Sequence, residues 1–301
     1  MKLVSMKTRL LLGGSVFLSL FLFSCEEDDI TLPPIAGYNN SNEVAQANNV
    51  GYFALDGNGT ESKSGTTATS TSNVTWVAGV KGQAAQFANG YIYLASPLAV
   101  LPNAQSFTVS AWVQAANTQI PGGTPPANNH PWQYFQIARP GQLFGNFSGL
   151  IEAGQYGVAS DTMVVKSLYA DAGGGLQDNI NNFGAVGTDF KVVKKAGTGQ
   201  WAHIVTTYET NGSTVNLFRI YVDSVLVSNV NFENRGTNTF RFTSPNEIII
   251  GGWYNNIPGK MVTGDTWTTA FTGKIDEIRV YNKLLSASEI SALYRLGLAG
   301  R

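Results

Sequence analysis

What restricts the fold of this chain most is a succession of short β-branched and aromatic runs. Each is closed off by Gly, Asn or Pro, and no helical periodicity appears among them until the C-terminus. Gly51–Asp56, Tyr91–Leu94, Phe107–Gln114, Tyr134–Ala138, Met163–Tyr169, Phe190–Val193, His203–Tyr208, Val215–Val222, Val225–Val230 and Glu247–Gly251 all read as strands. In Phe107-Thr108-Val109-Ser110-Ala111 the alternation is strict, which predicts one apolar face and one wet face. Asn211-Gly212 and Asp223-Ser224 each separate two runs and read as hairpin turns. Near the end, Ser286-Ala287-Ser288-Glu289 has the form of a capping box, predicting a short helix over Ala287–Arg295 with Ile290, Leu293 and Tyr294 on its apolar stripe. Many antiparallel strands with long connections predict an all-β, two-sheet sandwich carrying one C-terminal helix.

The N-terminus predicts where this domain works. Lys2, Lys7 and Arg9 precede an uncharged run from Leu10 to Leu22, dominated by Leu, Phe and Val. The run suits a signal-peptide core of roughly 7–15 residues and is short of the roughly 20 needed to span a bilayer. Leu22-Phe23-Ser24-Cys25 resembles the lipobox of bacterial lipoproteins, which implies a diacylglycerol thioether on Cys25 and removal of residues 1–24. The sequence has one Cys in total, and it is this one, so no intrachain disulfide can form and the exported domain must be stable from its core alone. Glu26-Glu27-Asp28-Asp29 resembles the acidic export signal of Bacteroidetes-type surface lipoproteins, which implies the outer face of the outer membrane. Residues 25–49, with Pro33-Pro34 and Asn39-Asn40-Ser41-Asn42, read as a flexible tether, and residues 50–301 as one domain.

Charge excludes some partners. Losing residues 1–24 removes three of the 19 cations and none of the 20 acids, so the mature net charge is −4. Nucleic acid is therefore not an expected partner, and membrane is expected only through the lipid. Charged residues form 13% of the chain, half the usual share of about 25%. The polar surface is expected to come from Asn, Ser, Thr, Gln and Gly.

The segment Phe271-Thr272-Gly273-Lys274-Ile275-Asp276-Glu277-Ile278-Arg279-Val280-Tyr281-Asn282, running on to Glu289-Ile290, resembles the C-terminal signature of laminin-G-like (concanavalin-A-like) jelly rolls. Phe53–Asn58, Gly90–Tyr93, Phe107–Val113, Trp201–Val205 and Ile220–Asp223 resemble the other family blocks, in family order. Residues 115–133 and 139–189 are longer and richer in Asn and Gly than the minimal domain requires. The resemblance implies a jelly roll, and it implies that Asp276 lies near Asp56, Asn58 and Glu61, where the four can share a structural calcium ion through hard oxygen ligands. Strand alternation places Asp276 on the inward face with Ile278 and Val280, with Glu277 pointing the opposite way. Backbone hydrogen bonding by Asp276 is the alternative to a metal role.

Trp112 and Trp201 fall in family core blocks and read as packing residues. Trp132, Trp253 and Trp267 lie in or beside Asn-, Pro- and Gly-rich loops, near His130, Tyr134, Tyr254, Asn255 and Asn256. Flat rings flanked by amides suit a sugar, which presents C–H faces and hydroxyls together. Pinning of loops to the sandwich is the alternative, and Trp253–Asn256 is the first choice for a binding platform. His203 reads as a packed or edge residue. With two His residues and no thiol near them, zinc and nucleophilic triads have little to build on. The glucanase-type Glu-x-Asp-x-x-Glu motif is absent, and Glu152 stands alone. The expectation is a non-catalytic surface lipoprotein that binds glycan for nutrient capture or adhesion. A structural or protein-interaction module is the second reading, and a glycosidase the third.

Overall fold

The computed structural model describes residues 32–96, 98, 101–103, 105–119, 130–181, 191–211 and 214–301. Cys25, the acidic run, Phe190 and Gly212 lie outside the described residues. A compact unit begins at Pro34 and ends at Arg301.

Fifteen strands and one α-helix are present among the described residues. They are β1 (Asn49–Phe53), β2 (Ser70–Ala78), β3 (Gln83–Leu94), β4 (Phe107–Gln114), β5 (Pro131–Ala138), β6 (Phe147–Glu152), β7 (Thr162–Met163), β8 (Val165–Ala170), β9 (Leu176–Ile180), β10 (Val193–Lys194), β11 (Ala202–Thr210), β12 (Asn216–Val222), β13 (Val225–Leu226), β14 (Glu247–Ile250), β15 (Phe271–Tyr281) and α1 (Ala287–Leu298). Thirteen strands form one antiparallel sheet in the order β13-β12-β11-β4-β15-β3-β14-β5-β6-β8-β9, with β1 on β15 and β2 on β3. β7 and β10 form a separate small ribbon.

β3 makes this long sheet into a sandwich. Its first part pairs with β15 and its last three residues pair with β14, so the sheet curls over on itself. One layer is then β12-β11-β4-β15 and the other β14-β5-β6-β8-β9. The free end of the second layer meets the first again, where Asn179 Nδ2 donates to Phe218 O at 2.7 Å. Between the layers lies an aromatic core: Phe107 stacks on Tyr208 at 5.4 Å and meets Phe240 at 4.7 Å. Burial of each such ring is worth roughly 1.5–3 kcal/mol. The jelly-roll sandwich with a short C-terminal helix is thus the observed architecture.

The C-terminal helix starts where expected. Ser286 Oγ accepts from Glu289 N at 3.2 Å and Glu289 Oε2 accepts from Ser286 N at 2.8 Å. It runs one turn further than expected, and it changes the reading of β4. The predicted wet face of Phe107–Ala111 is dry, because α1 and residues 41–48 cover it. Ile290, Leu293 and Leu296 pack with Val205, Tyr281 and Val44 on that side. Gly297 lies so close to Trp112 that a Cβ there would enter the indole. The covered hydroxyls are satisfied: Thr108 Oγ1 donates to Lys283 O and accepts from Leu285 N, and Ser110 Oγ bonds His203 Nε2 at 2.8 Å.

Three further expectations change. The segment read as tether up to residue 49 is part of the fold from Pro34. It has 3-10 turns at Ser41–Glu43 and Gln46–Asn48 and a fully buried Val44, and Arg279 Nη2 donates to Ser41 Oγ and Asn42 Oδ1, both at 2.9 Å. The hairpin turn read at Asn211-Gly212 reaches further along the chain between the antiparallel β11 and β12, with Asn211 Oδ1 accepting from Thr214 N and Val215 N. Asp223-Ser224 is a two-residue turn, with both residues at positive φ as a type I′ hairpin needs.

The third change is Asp276. Pairing between β15 and β4 jumps from Asp276–Trp112 to Arg279–Ser110, and Glu277 takes φ +51°, a β-bulge. The extra residue breaks the alternation. Asp276 shares the outer face with Trp112, and Glu277 does not point away from that region but pairs with Arg279 Nη1 at 2.6 Å.

His203 gives this layer a pH signature. Burial, then the Arg279 charge, hold its imidazole down to about 3. An unfolded histidine titrates near 6.5, so below that pH the unfolded chain binds the extra proton and the fold does not. The contribution is intact above about pH 6.5 and weakens, by at most about 1.4 kcal/mol per unit, as pH falls toward 3. Thermal melts at about pH 7 and about pH 4.5 should show a smaller drop for His203→Gln than for the parent chain. Equal drops would remove His203 as the cause.

Candidate functional site

The second layer carries a cover of loops on its outer face, and the expected platform lies inside that cover. After β14, Gly251 at φ +77° turns the chain so that Trp253 folds back onto Leu150 and Leu168. Trp253 is 0% exposed, donates from Nε1 to Pro131 O at 3.2 Å and meets Trp267 edge-on at 5.2 Å. A ring covered in this way has no face for a sugar. Tyr254 packs in a neighbouring cluster with Tyr91, Tyr93 and Ile249, beneath Lys260, whose Nζ bonds Glu247 at 2.8 Å. Asn256 Oδ1 accepts from Trp253 N at 2.8 Å, and Asn255 holds Val262 and Thr263 through five hydrogen bonds to their backbone and to the hydroxyls of Thr263 and Thr268. Trp253–Asn256 is therefore a brace, not a platform. Of the predicted rings only Trp267 is partly exposed.

Trp132 and Tyr134 are corrected in the same sense. Trp132 is buried between His130 and Phe271, with only an edge on a recess of about 320 Å³ beside Gln114 and Gly273. Tyr134 enters the inter-layer core because the β5–β6 register shifts between Gln133 and Phe135, and its ring fills the space left by Gly149.

The proposed ion ligands divide. Glu61 does not fit a metal role, since Oε1 accepts from Tyr52 N and Lys63 N, and Oε2 from Ser64 N and Ser64 Oγ. Asn58 Oδ1 is engaged by Thr60 N. Asp56 Oδ1 takes Gln83 N at 2.6 Å, and Asp276 Oδ2 takes Val80 N at 2.7 Å and Lys81 N at 3.2 Å, so both carboxylates cap the same β2–β3 turn. Asp276 Oδ1 is buried without a partner. Burial, then the Glu277 charge, push Asp276 up to about 8. Among the described residues no three His, Cys, Asp or Glu side chains converge in a metal-binding group.

The concave site on this face was missed from sequence. A groove of about 320 Å³ runs between the β5–β6 connection, the β8–β9 turn and the Asn255-braced stretch. Its walls include Arg139, Gln142, Phe144, Leu176, Val262 and Thr263. Pro140 and Gly141 (φ +74°), with Gln142 N donating to Arg139 O at 3.0 Å, have the signature of a type II turn. Arg139 Nε and Nη2 donate to Phe144 O at 3.2 and 3.1 Å, which fixes the guanidinium across the hairpin. Phe144 stands edge-on to Trp253 at 5.6 Å, so the buried indole supports the groove from beneath. The available signal was Arg139-Pro140-Gly141, a lone cation at a turn in a chain poor in charge.

Residues 87–291 match the Concanavalin A-like lectin/glucanases superfamily, and the chain belongs to it. No curated protein sequence matches the chain. Among solved structures, the receptor binding domain of botulinum neurotoxin mosaic serotype C/D is 12% identical, with a TM-score of 0.50 over 82% of this chain and 50% of that one. Domain 4 of an extracellular arabinanase from Geobacillus stearothermophilus, solved in complex with arabinotriose, is 19% identical, with a TM-score of 0.48 over 82% of this chain and 98% of that one. A pentraxin from Limulus polyphemus is 12% identical, with a TM-score of 0.40 over 67% and 73% of the two chains. This chain thus spans about half the length of the toxin fragment.

The brace has a measurable consequence. Trp253→Ala should lower unfolding stability by about 3–5 kcal/mol, as expected when a fully buried aromatic is emptied. Trp267→Ala should cost clearly less. Chemical denaturation of both variants checks this, and an unchanged midpoint for Trp253→Ala would contradict the supporting role.

Proposed function

We propose that this protein is a lipid-anchored cell-surface protein whose sandwich binds carbohydrate without cleaving it, in the groove bounded by Arg139, Gln142, Phe144, Leu176 and Thr263. The observation that carries this reading is the meeting, in one concave place, of an aromatic ring, aliphatic walls and polar tips on a rigid base. A sugar needs that mixture, apolar contact for its C–H faces and donors and acceptors for its hydroxyls. Membership of a superfamily of lectins and glucanases agrees with it. The lipobox resemblance at Leu22–Cys25 and the following acidic run support export to the outer membrane surface, with the membrane reached through the lipid on Cys25.

Absence of cleavage is part of the proposal. Glycoside hydrolysis needs two carboxylates about 5–9.5 Å apart across the sugar. No acid lines the groove. On the same layer Glu152 is held up from its ordinary pKa by burial and faces Lys166 at 3.7 Å, while Asp178 is tied to Lys166 and Arg235.

Two measurements test the reading. On a glycan array, Phe144→Ala and Thr263→Ala should lose most binding while the variants still fold and melt in a single transition. No binding by the folded parent to any glycan would overturn the proposal. One observation favours a protein partner instead: Val225, Leu226 and Val230, exposed by 62%, 40% and 52%, lie at and just beyond the free edge strand β13. Partner capture lost in Val225→Glu but kept in Phe144→Ala would move the function there.

Calcium is proposed only at Asp56 and Asp276, as a structural ion. A cation would displace the proton that Asp276 holds at neutral pH, so its binding would strengthen toward alkaline pH. Added calcium should raise the melting temperature, chelator should reverse it, and Asp276→Asn should abolish the shift. Identical melts in calcium and chelator would remove the ion.

A further inference from the structure

Arg139 is the only charged side chain among the lining residues of the groove, and it makes no ion pair among the described residues. That sets it apart from Arg219, Arg235 and Arg279, each of which meets a carboxylate within 3.4 Å. Its hydrogen bonds go to a single acceptor, Phe144 O, from Nε and Nη2. A guanidinium carries five donors in a planar fork, so Nη1 and part of Nη2 remain unspent. Asp171, whose charge reaches Arg139, does not use them. Asp171 accepts from Gly175 N at 2.9 Å and from Gln177 Nε2 at 2.7 Å, and so caps its own turn. Burial lowers the pKa of Arg139 while the Asp171 charge opposes this, the mark of a cation held partly out of water. A half-buried, pre-positioned fork with spare donors suits a planar anion, which it can take with two parallel bonds.

Resting on the glycan reading of this groove, we propose that the carbohydrate bound there is acidic, and that Arg139 takes the carboxylate of a uronic acid residue while Phe144 and Leu176 contact its ring. Gln142 and Thr263 lie on the same walls as hydroxyl partners. The mature chain is net negative, so attraction comes from this local cation and not from the field of the whole protein.

The test uses the full chain in detergent and three uronate polymers, polygalacturonate, alginate and hyaluronan, each beside its carboxyl-reduced neutral form. Dextran sulfate serves as a control for charge alone. Binding to at least one uronate polymer should fall about ten- to hundredfold on carboxyl reduction, and by a similar factor in Arg139→Gln, with partial retention in Arg139→Lys. Since Arg139 also holds the hairpin, a second variant leaves it in place. Leu176→Glu puts a carboxylate on the 38% exposed lip and should repel the acidic polymers alone. Equal binding to native and reduced polymers, or preference for neutral glycans, would overturn the acidic ligand and leave the glycan groove standing. Equal binding to dextran sulfate would reduce the site to charge alone and overturn it too. Failure of the folded chain to bind any polymer, charged or neutral, would sink both readings together.

Discussion

At the centre of the first layer, the guanidinium of Arg279 meets Glu277 Oε2 at 2.6 Å with both side chains almost wholly buried, and the leading segment of the folded unit is assembled around that pair. Desolvating two charges is expensive, and removing one partner of such a pair costs about 3–5 kcal/mol. The surroundings therefore complete it. Tyr52 donates its hydroxyl to Glu277 Oε1 at 2.5 Å and lays its ring 4.3 Å from the Arg279 carbon, while Ser41 and Asn42 accept from Nη2. Glu277 and Arg279 share a face by strand alternation, and the bulge adds Asp276 to that same side, opposite Trp112. With that face occupied by polar groups and a helix, β4 and β11 are covered on both sides and form the rigid spine from which the second layer curls.

How far this was legible depended on whether a residue's role was local. Period-two strands such as β12, whose Asn216, Phe218, Ile220 and Val222 alternate inward, and the Ser286–Glu289 cap are written in neighbouring residues. β2 was not foreseen, because its Ser, Thr and Asn residues carry little apolar alternation and it earns its place by pairing with β3. Nor could the alternation in β4 tell a wet face from one covered by a helix 180 residues later. The bulge leaves no trace in Asp-Glu-Ile-Arg, so Asp276 was assigned to the wrong face.

The site was misread for a related reason. Aromatic rings beside Asn and Gly resemble an exposed platform, but long loops lying on a sheet need an apolar layer of their own. Trp253, Trp267, Leu150 and Leu168 supply one, and Tyr91, Tyr254 and Ile257 another. The amides act as substitutes for missing ladder bonds: Asn246 pairs with both backbone groups of Leu98, Asn146 with both of Thr243, and Asn255 with the 262–263 stretch. Several amides expected at the surface instead hold backbone in place beneath the loops. The groove is what remains where this loop layer stops short of the β5–β6 hairpin.

The clasp between the two ends also decides how the molecule takes load. Arg301 Nε donates to Asn39 O at 2.9 Å and Ser41 N donates to Arg301 O at 3.3 Å, so the first and last turns of the folded unit form one joint. Tension entering through residue 34 reaches this joint and the Arg279 anchor before it reaches any strand. Peeling the leading segment would therefore release the trailing one, lift Val44 from its pocket and wet the outer side of β4 and β11 together. That joint lies on the helix-bearing face of the first layer, while the groove is lined by loops of the other layer and shares no residue with it.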